Sequence, residues 1–248
     1  MSDSLTVRQT QILKAIIDEY VNTADPVGSE SLEKKYNLGV SPATIRNEMV
    51  TLTKTGYLRQ PHTSEGRIPS PRAMKFYIDQ LMEERQMSLA DEVKVKEDVG
   101  VKSDDIGDLL DDATRELSHV TNYLAVCTLD KQDKIWHAGY SHVFENPEFN
   151  DFEATSSLFT FLEEMAMMRE LFFRRMTGLT PVEVIFGEEL GWPGFSPVGV
   201  VGSRFTIGEQ QGALAIIGPT RLQYERVIPI LRYFKDLIEE IGHDRYSA

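Results

Sequence analysis

The sequence predicts an α+β protein: a winged helix-turn-helix at the N-terminus, then a larger α+β domain on a mainly antiparallel sheet. Three observations carry this. A Ser-Pro helix start follows a short helical stripe and a Gly-containing turn, and two extended segments flank a loop of turn formers just after it. The second half mixes strand candidates with amphipathic helices around a hairpin signal. The chain divides into residues 1–82, a charged helix end and linker over 83–102, and a second domain over 103–248.

The first domain is organised around Ser41-Pro42-Ala43-Thr44-Ile45-Arg46-Asn47-Glu48-Met49, closed by Gly56. Ser41 suits an N-cap, because its hydroxyl accepts from an unpaired first-turn N–H. Pro42 suits N1, where its missing N–H costs nothing. Ile45, Met49 and Leu52 make one apolar stripe. The opposite face carries Ala43, Asn47, Val50 and Lys54, flanked by Arg46 and Thr51. Amide, guanidinium, hydroxyl and small apolar groups suit major-groove base edges. An ordinary amphipathic surface helix has the same pattern, so its neighbours decide.

Those neighbours agree. Thr6 and Gln9 form a capping-box pattern before the stripe Ile12, Leu13, Ile16, Ile17, Tyr20 and Val21. Ser29 is expected to cap a short second helix with Leu32 and Tyr36, and Asn37-Leu38-Gly39-Val40 makes the turn. After Gly56, the extended segments 57–60 and 67–69 flank Pro61-His62-Thr63-Ser64-Glu65-Gly66, a hairpin wing. Ser70-Pro71 opens a further helix carrying Phe76, Tyr77, Leu81 and Met82. The residues expected on DNA are Ser41, Ala43, Thr44, Arg46, Asn47, Val50, Thr51 and Lys54 of the recognition helix. Arg59, His62, Thr63, Ser64 and Arg67 of the wing join them, with Arg72 beyond it. Lys34, Lys35 and Lys75 extend the phosphate footprint. Arg46 either reads a base or bonds the backbone or Glu30.

The charge balance supports this division. The net charge is −13, yet residues 1–79 hold 10 Lys/Arg against 9 Asp/Glu, and residues 34–75 hold 8 against 2. A local basic patch neutralises phosphates, while the acidic remainder need not touch DNA. One cysteine, Cys127, excludes an internal disulfide framework and fits a reducing compartment. No signal peptide and no apolar run of membrane-spanning length are visible, so a cytoplasmic protein with no membrane partner is expected.

In the second domain, residues 106–120 read as an acidic amphipathic helix. Segments 123–128 and 134–138 read as paired strands, and residues 151–176 as one long helix. Three more strands are expected at 182–186, 198–205 and 212–217, the last two joined through Gly208-Glu209-Gln210-Gln211. Thr220 is expected to cap the closing helix, which Pro229 should kink. Helix 151–176 has Phe159, Met167 and Phe173 off its main apolar face, suggesting a second burial across a dimer.

Catalysis finds no support. His137 and His142 are five residues apart, neither a helical metal pair nor one strand face, and Cys127 joins them only through long-range folding. There is no P-loop, G-x-S-x-G or dinucleotide fingerprint. No catalytic residue, metal or cofactor is expected, and the protein is read as no enzyme. A winged helix serving as a protein-interaction module, without operator specificity, is the alternative; the local basic excess and the polar outer face argue against it.

With these residues in view, segment 5–77 resembles the N-terminal winged helix of the HrcA family of heat-inducible transcription repressors. The resemblance rests on Pro26-Val27-Gly28-Ser29, the stretch from Ser41 to Met49, Gly56-Tyr57-Leu58, the stretch from Gln60 to Ser70, and Phe76-Tyr77. Asn146-Pro147-Glu148-Phe149, Phe186-Gly187-Glu188-Glu189, Gly218-Pro219-Thr220-Arg221 and Tyr224-Glu225-Arg226-Val227-Ile228-Pro229 are similar to that family's GAF-like C-terminal domain. The resemblance implies a homodimeric repressor of chaperone operons that binds double-stranded DNA at an inverted-repeat operator and is released on heat stress. It also implies the chaperonin GroEL as a partner. Family members carry a large segment, including an inserted dimerisation domain, between the counterparts of Tyr123 and Asn146, where this chain has about twenty residues.

Overall fold

The first helix is specified by its own first turn. The Thr6 hydroxyl accepts from the Gln9 N–H at 3.2 Å, and the Gln9 side-chain oxygen accepts from the Thr6 N–H at 3.0 Å. A computed structural model describes residues 5–61, 66–100 and 105–246, which fall into two compact units, Met1–Glu83 and Glu84–Ala248.

In the first unit, α1 (Val7–Thr23) buries Ile12, Leu13, Ile16 and Ile17. Next come α2 (Ser29–Lys35) and α3 (Pro42–Lys54). Strands β1 (Leu58–Arg59) and β2 (Ile68–Pro69) pair antiparallel, and α4 (Pro71–Gln80) packs on α1. Two expectations change. Gly28, not Ser29, is the N-cap of α2, and Ser29 is buried inside the first turn. Leu81 is the C-cap of α4, so Met82 lies beyond the helix. An unforeseen bridge also joins Val27 to Arg67, each N–H donating to the other's carbonyl at 2.9 Å.

Residues 83–102, expected as helix end and linker, include α5 (Leu89–Gly100), whose Val95 and Val99 are buried. It packs on α6 (Ile106–Thr121). Two valines at i, i+4 suffice for one buried edge, and the charged remainder faces water.

The sheet has the order β4-β3-β7-β6-β5, with every pairing antiparallel. Its strands are β3 (Leu124–Leu129), β4 (Ile135–Ala138), β5 (Glu183–Phe186), β6 (Val198–Ile207) and β7 (Gln210–Pro219). Strands β6 and β7 exceed their expected spans and turn at Gly208, which has φ +57°. All of β3 is buried, because helices cover both faces. Cys127 faces Thr114 of α6 on one side. Leu124 and Val126 join Leu158, Phe161 and Phe172 on the other. On that side lie α7 (Tyr140–Phe144), α8 (Phe152–Glu163) and α9 (Met165–Arg169), whereas α10 (Gly187–Leu190) follows β5.

The expected single helix over 151–176 is broken. Glu164 takes an extended conformation (φ −98°, ψ 96°) between α8 and α9, and a π-helical turn covers Glu170–Arg175. Arg204 donates from Nε to the Phe172 carbonyl at 2.9 Å, satisfying an acceptor in the widened turn. Segments at different angles bring Phe159, Met165, Met167 and Phe173 against the same core. All four remain partly buried there.

The closing helix α11 (Tyr224–Tyr246) begins later than expected. Thr220 is not its cap; its N–H donates to the Pro197 carbonyl, and its own carbonyl accepts from the Tyr224 hydroxyl at 2.7 Å. Pro229 lies inside this single helix, and the Glu225 carbonyl that it leaves without a helical donor accepts from the Arg85 N–H.

Candidate nucleic-acid interface

The local sequence builds α3 as a held, outward-facing helix. Ser41 Oγ accepts from the Thr44 N–H at 3.3 Å, and Pro42 follows at N1. Ile45, Met49 and Leu52 are buried, each contributing about 1.5–3 kcal/mol of hydrophobic anchoring. At the far end, Gly56 adopts φ +79°, and the Tyr57 N–H donates to the Leu52 carbonyl. Arg72 completes this end. Its Nη1 donates to the Thr55 carbonyl at 2.7 Å, and its guanidinium lies 4.4 Å from the centroid of the Tyr57 ring.

Seven of the helix residues expected on DNA, Ser41, Ala43, Arg46, Asn47, Val50, Thr51 and Lys54, are exposed, and Thr44 is half-buried. Three of them spend hydroxyls locally. Ser41 and Thr44 share the cap contact at 3.1 Å, and Thr51 bonds the Asn47 carbonyl. The side chains of Arg46, Asn47 and Lys54 make no hydrogen bond or ion pair among the described residues, so Arg46 is not held by Glu30. The one acid of α3, Glu48, is drawn toward α1, accepting from Gln9 at 3.1 Å with Arg8 at 3.8 Å. The outer face therefore presents a guanidinium, an amide and an ammonium without a carboxylate.

The hairpin adds to one side of this face. Arg59 is exposed on β1. Arg67 is half-buried and braces the hairpin to α3, donating to Thr53 Oγ at 3.2 Å and to the Gly66 carbonyl at 3.1 Å. Gly66 admits this approach, since a Cβ there would meet the Pro26 backbone at 2.7 Å. His62, Thr63 and Ser64 lie outside the described residues. A groove of about 380 Å³ runs between the start of α2, α3 and the hairpin, bordered by Glu30, Arg46, Val50, Gln60 and Arg67. Lys35 is tied to the buried Glu19, while Lys34 has no ion pair among the described residues. Burial first, then Glu19, raises the pKa of the neighbouring Tyr36.

Two roles escaped the sequence reading: Arg72 as a C-terminal cap, and Val27 as the partner of Arg67. Arg72 lies in α4, eighteen residues past the end of α3 at Lys54, so no local signal marked the first. Nor was there one for the second, because a one-residue bridge leaves no periodicity.

In the second unit, two motifs far apart in sequence converge. Arg221 donates from Nε and Nη2 to Glu148 at 2.6 and 3.1 Å, and from Nη2 to Asn146 Oδ1 at 3.2 Å. The pair is mostly buried and fastens the end of β7 to the turn before α8. His137 lies against Tyr140 with tilted rings 4.9 Å apart, His142 meets Glu145 at 3.2 Å, and burial pushes up the pKa of the Cys127 thiol. Among the described residues, no group of three or more His, Cys, Asp or Glu is arranged to hold a metal, and no helix is long and apolar enough to cross a membrane.

A family model described as the HrcA protein C terminal domain matches residues 72–228. The chain is similar to the heat-inducible transcription repressor HrcA of Carboxydothermus hydrogenoformans, 27% identical over 334 residues that take in 94% of this chain and 97% of that protein. It is also similar to the repressor of the same name from Desulforamulus reducens, 45% identical over 136 residues, 55% of this chain and 38% of that protein. The first alignment exceeds the 248 residues of this chain, so that relative carries residues with no counterpart here. A crystal structure of a hypothetical protein at 2.2 Å resolution shares the fold, with a TM-score of 0.76 and 17% identity over 97% of this chain and 99% of that one.

Proposed function

Because the chain belongs to the HrcA family, whose named members are heat-inducible transcription repressors, we propose that it is a sequence-specific DNA-binding repressor of heat-shock chaperone operons. In this reading the first unit is a winged helix-turn-helix and the second a GAF-like regulatory domain. The repressor binds an inverted-repeat operator as a homodimer and leaves it on heat stress, with GroEL as a further partner. One observation carries the DNA reading: Arg46, Asn47 and Lys54 project from a capped and anchored helix whose single acid is turned away. Arg and Asn there are placed for guanine and adenine edges, and Lys54, Arg59 and Lys34 for phosphates.

The test is a titration of the purified chain against an inverted-repeat chaperone-operon duplex and a scrambled duplex, at low and high salt. Selective binding that weakens steeply with salt is expected. Equal affinity for both duplexes rejects operator specificity. Repeating the titration with added GroEL reads the chaperonin's part, and light scattering of the complex reads the two copies.

A further inference from the structure

The stretch between Lys134 and Arg169 contains no Lys or Arg, yet holds six acids: Glu145, Glu148, Asp151, Glu153, Glu163 and Glu164. It forms β4, α7 and α8, and it exposes aromatic rings. Tyr140 is 36% exposed, Phe144 59% and Phe152 86%. The half-buried Phe159 links them, with ring centroids 5.8 Å from Tyr140 and 6.0 Å from Phe144. Phe152 precedes Phe159 by seven residues and so lies on the same face of α8. At about 200 Å² per ring, the exposed aromatic area is on the order of 350 Å², nearly half of what one partner contributes to a standard-size interface.

The cations nearest this stretch are engaged elsewhere, Lys134 on the α6 side of the sheet beside Gly107. Lys134 sits 4.7 Å over Trp136, Arg169 meets Asp133 at 2.8 Å, and Arg221 is buried against Glu148. Glu145 adjoins Phe144, Asp151 and Glu153 flank Phe152, and Glu163 acts on Tyr140; among the described residues Glu145 meets only His142, and none of the four has a Lys or Arg partner.

We propose that the α7–α8 face docks a cationic amphipathic segment of another protein. Its apolar side chains cover Phe144, Phe152 and Phe159, and its lysines or arginines meet Glu145, Glu153 and Glu163. Charge selects this occupant over a second copy of the chain. Two copies would set these carboxylates against themselves with no Lys or Arg on either side, whereas a basic segment neutralises them and adds cation–π contacts.

The test uses the full chain and two dye-labelled amphipathic helical peptides, one of Leu and Lys and one of Leu and Glu, read by fluorescence anisotropy. The Leu/Lys peptide is expected to bind and to weaken as salt rises, and the Leu/Glu peptide to bind at least about tenfold more weakly. The double variant Phe144→Ser, Phe152→Ser changes only exposed positions, so circular dichroism should stay unchanged while Leu/Lys affinity falls about tenfold or more. Glu153→Gln with Glu163→Gln should weaken binding and flatten its salt dependence. Equal binding of the two peptides, or undiminished binding by the aromatic variant, overturns the proposal. So does a mass by light scattering that halves in the aromatic variant, since the face would then join two copies. Operator binding, measured alongside, is expected to be unaffected throughout.

Discussion

The Arg85 N–H donates at 2.8 Å to the carbonyl of Glu225, the acceptor that Pro229 leaves without a helical donor. The side chains repeat the contact, Arg85 Nη2 lying 3.0 Å from Glu225 Oε1. One residue earlier, the Glu84 carboxylate accepts two bonds from Arg232, at 2.8 and 2.9 Å. The first two residues of the second unit are therefore fastened to α11 on either side of its proline. Pro229→Ala supplies a new helical N–H that competes for the same carbonyl. The Arg85 amide is then expected to exchange with solvent about tenfold faster, an effect of ~1.4 kcal/mol on opening, with α11 intact. Hydrogen exchange measures this, and unchanged protection at Arg85 would show that the carbonyl accommodates both donors.

Hydrogen bonding from Arg232 lowers the pKa of Glu84 below its ordinary 4.5. A carboxylate depressed in the folded state stabilises fully above its unfolded value, and that contribution fades as pH falls through the folded one. Thermal unfolding should thus show the Glu84–Arg232 contribution at neutral pH and lose it well below pH 4.5. Glu84→Gln should lower the midpoint at pH 7, with the difference from the parent shrinking in acid. An offset independent of pH would assign the effect to packing alone.

Arg72, proposed for phosphate, also caps α3 through Nη1 and covers Tyr57. Arg72→Ala is expected to destabilise the first unit by about 1–2 kcal/mol through the lost charge-assisted bond and ring contact. Urea denaturation reads this directly. A variant of unchanged stability that binds all DNA more weakly would assign Arg72 to phosphate contact alone.

Asn47 and Arg46 are expected to discriminate among bases. Asn47→Ala or Arg46→Ala should cost about 1–3 kcal/mol on the operator and relax selectivity at one base position. Lys54→Ala should weaken operator and scrambled duplex alike, and lower the salt slope by about one unit. Unchanged operator affinity in Asn47→Ala would mean that α3 meets DNA along a different edge.

These elements were legible where their causes are local. Ser41-Pro42 and the Ile45, Met49, Leu52 stripe specify α3 without help from distant residues, and Gly208 marks the turn between the two longest strands. Distant causes left little trace. Nothing near Glu164 is a Gly or Pro, so the break between α8 and α9 could not be read; it accompanies packing of both segments on one core and the bond from Arg204 to Phe172. In α5 the charge density suggested a linker and hid the two valines that anchor it. On the candidate DNA face, exposure followed helical periodicity closely. The local use of Ser41, Thr44 and Arg72, and the bracing role of Arg67, emerged only from the folded geometry.

The absence of Lys and Arg between Lys134 and Arg169 has a practical consequence for mapping this protein. Trypsin has no cleavage site there, so digestion releases residues 135–169 as one long fragment even from the unfolded chain. Amine-reactive cross-linkers pass the same surface by. Carboxylate-directed coupling, or a protease that cuts after aromatic residues, is the chemistry by which α7 and α8 can be footprinted.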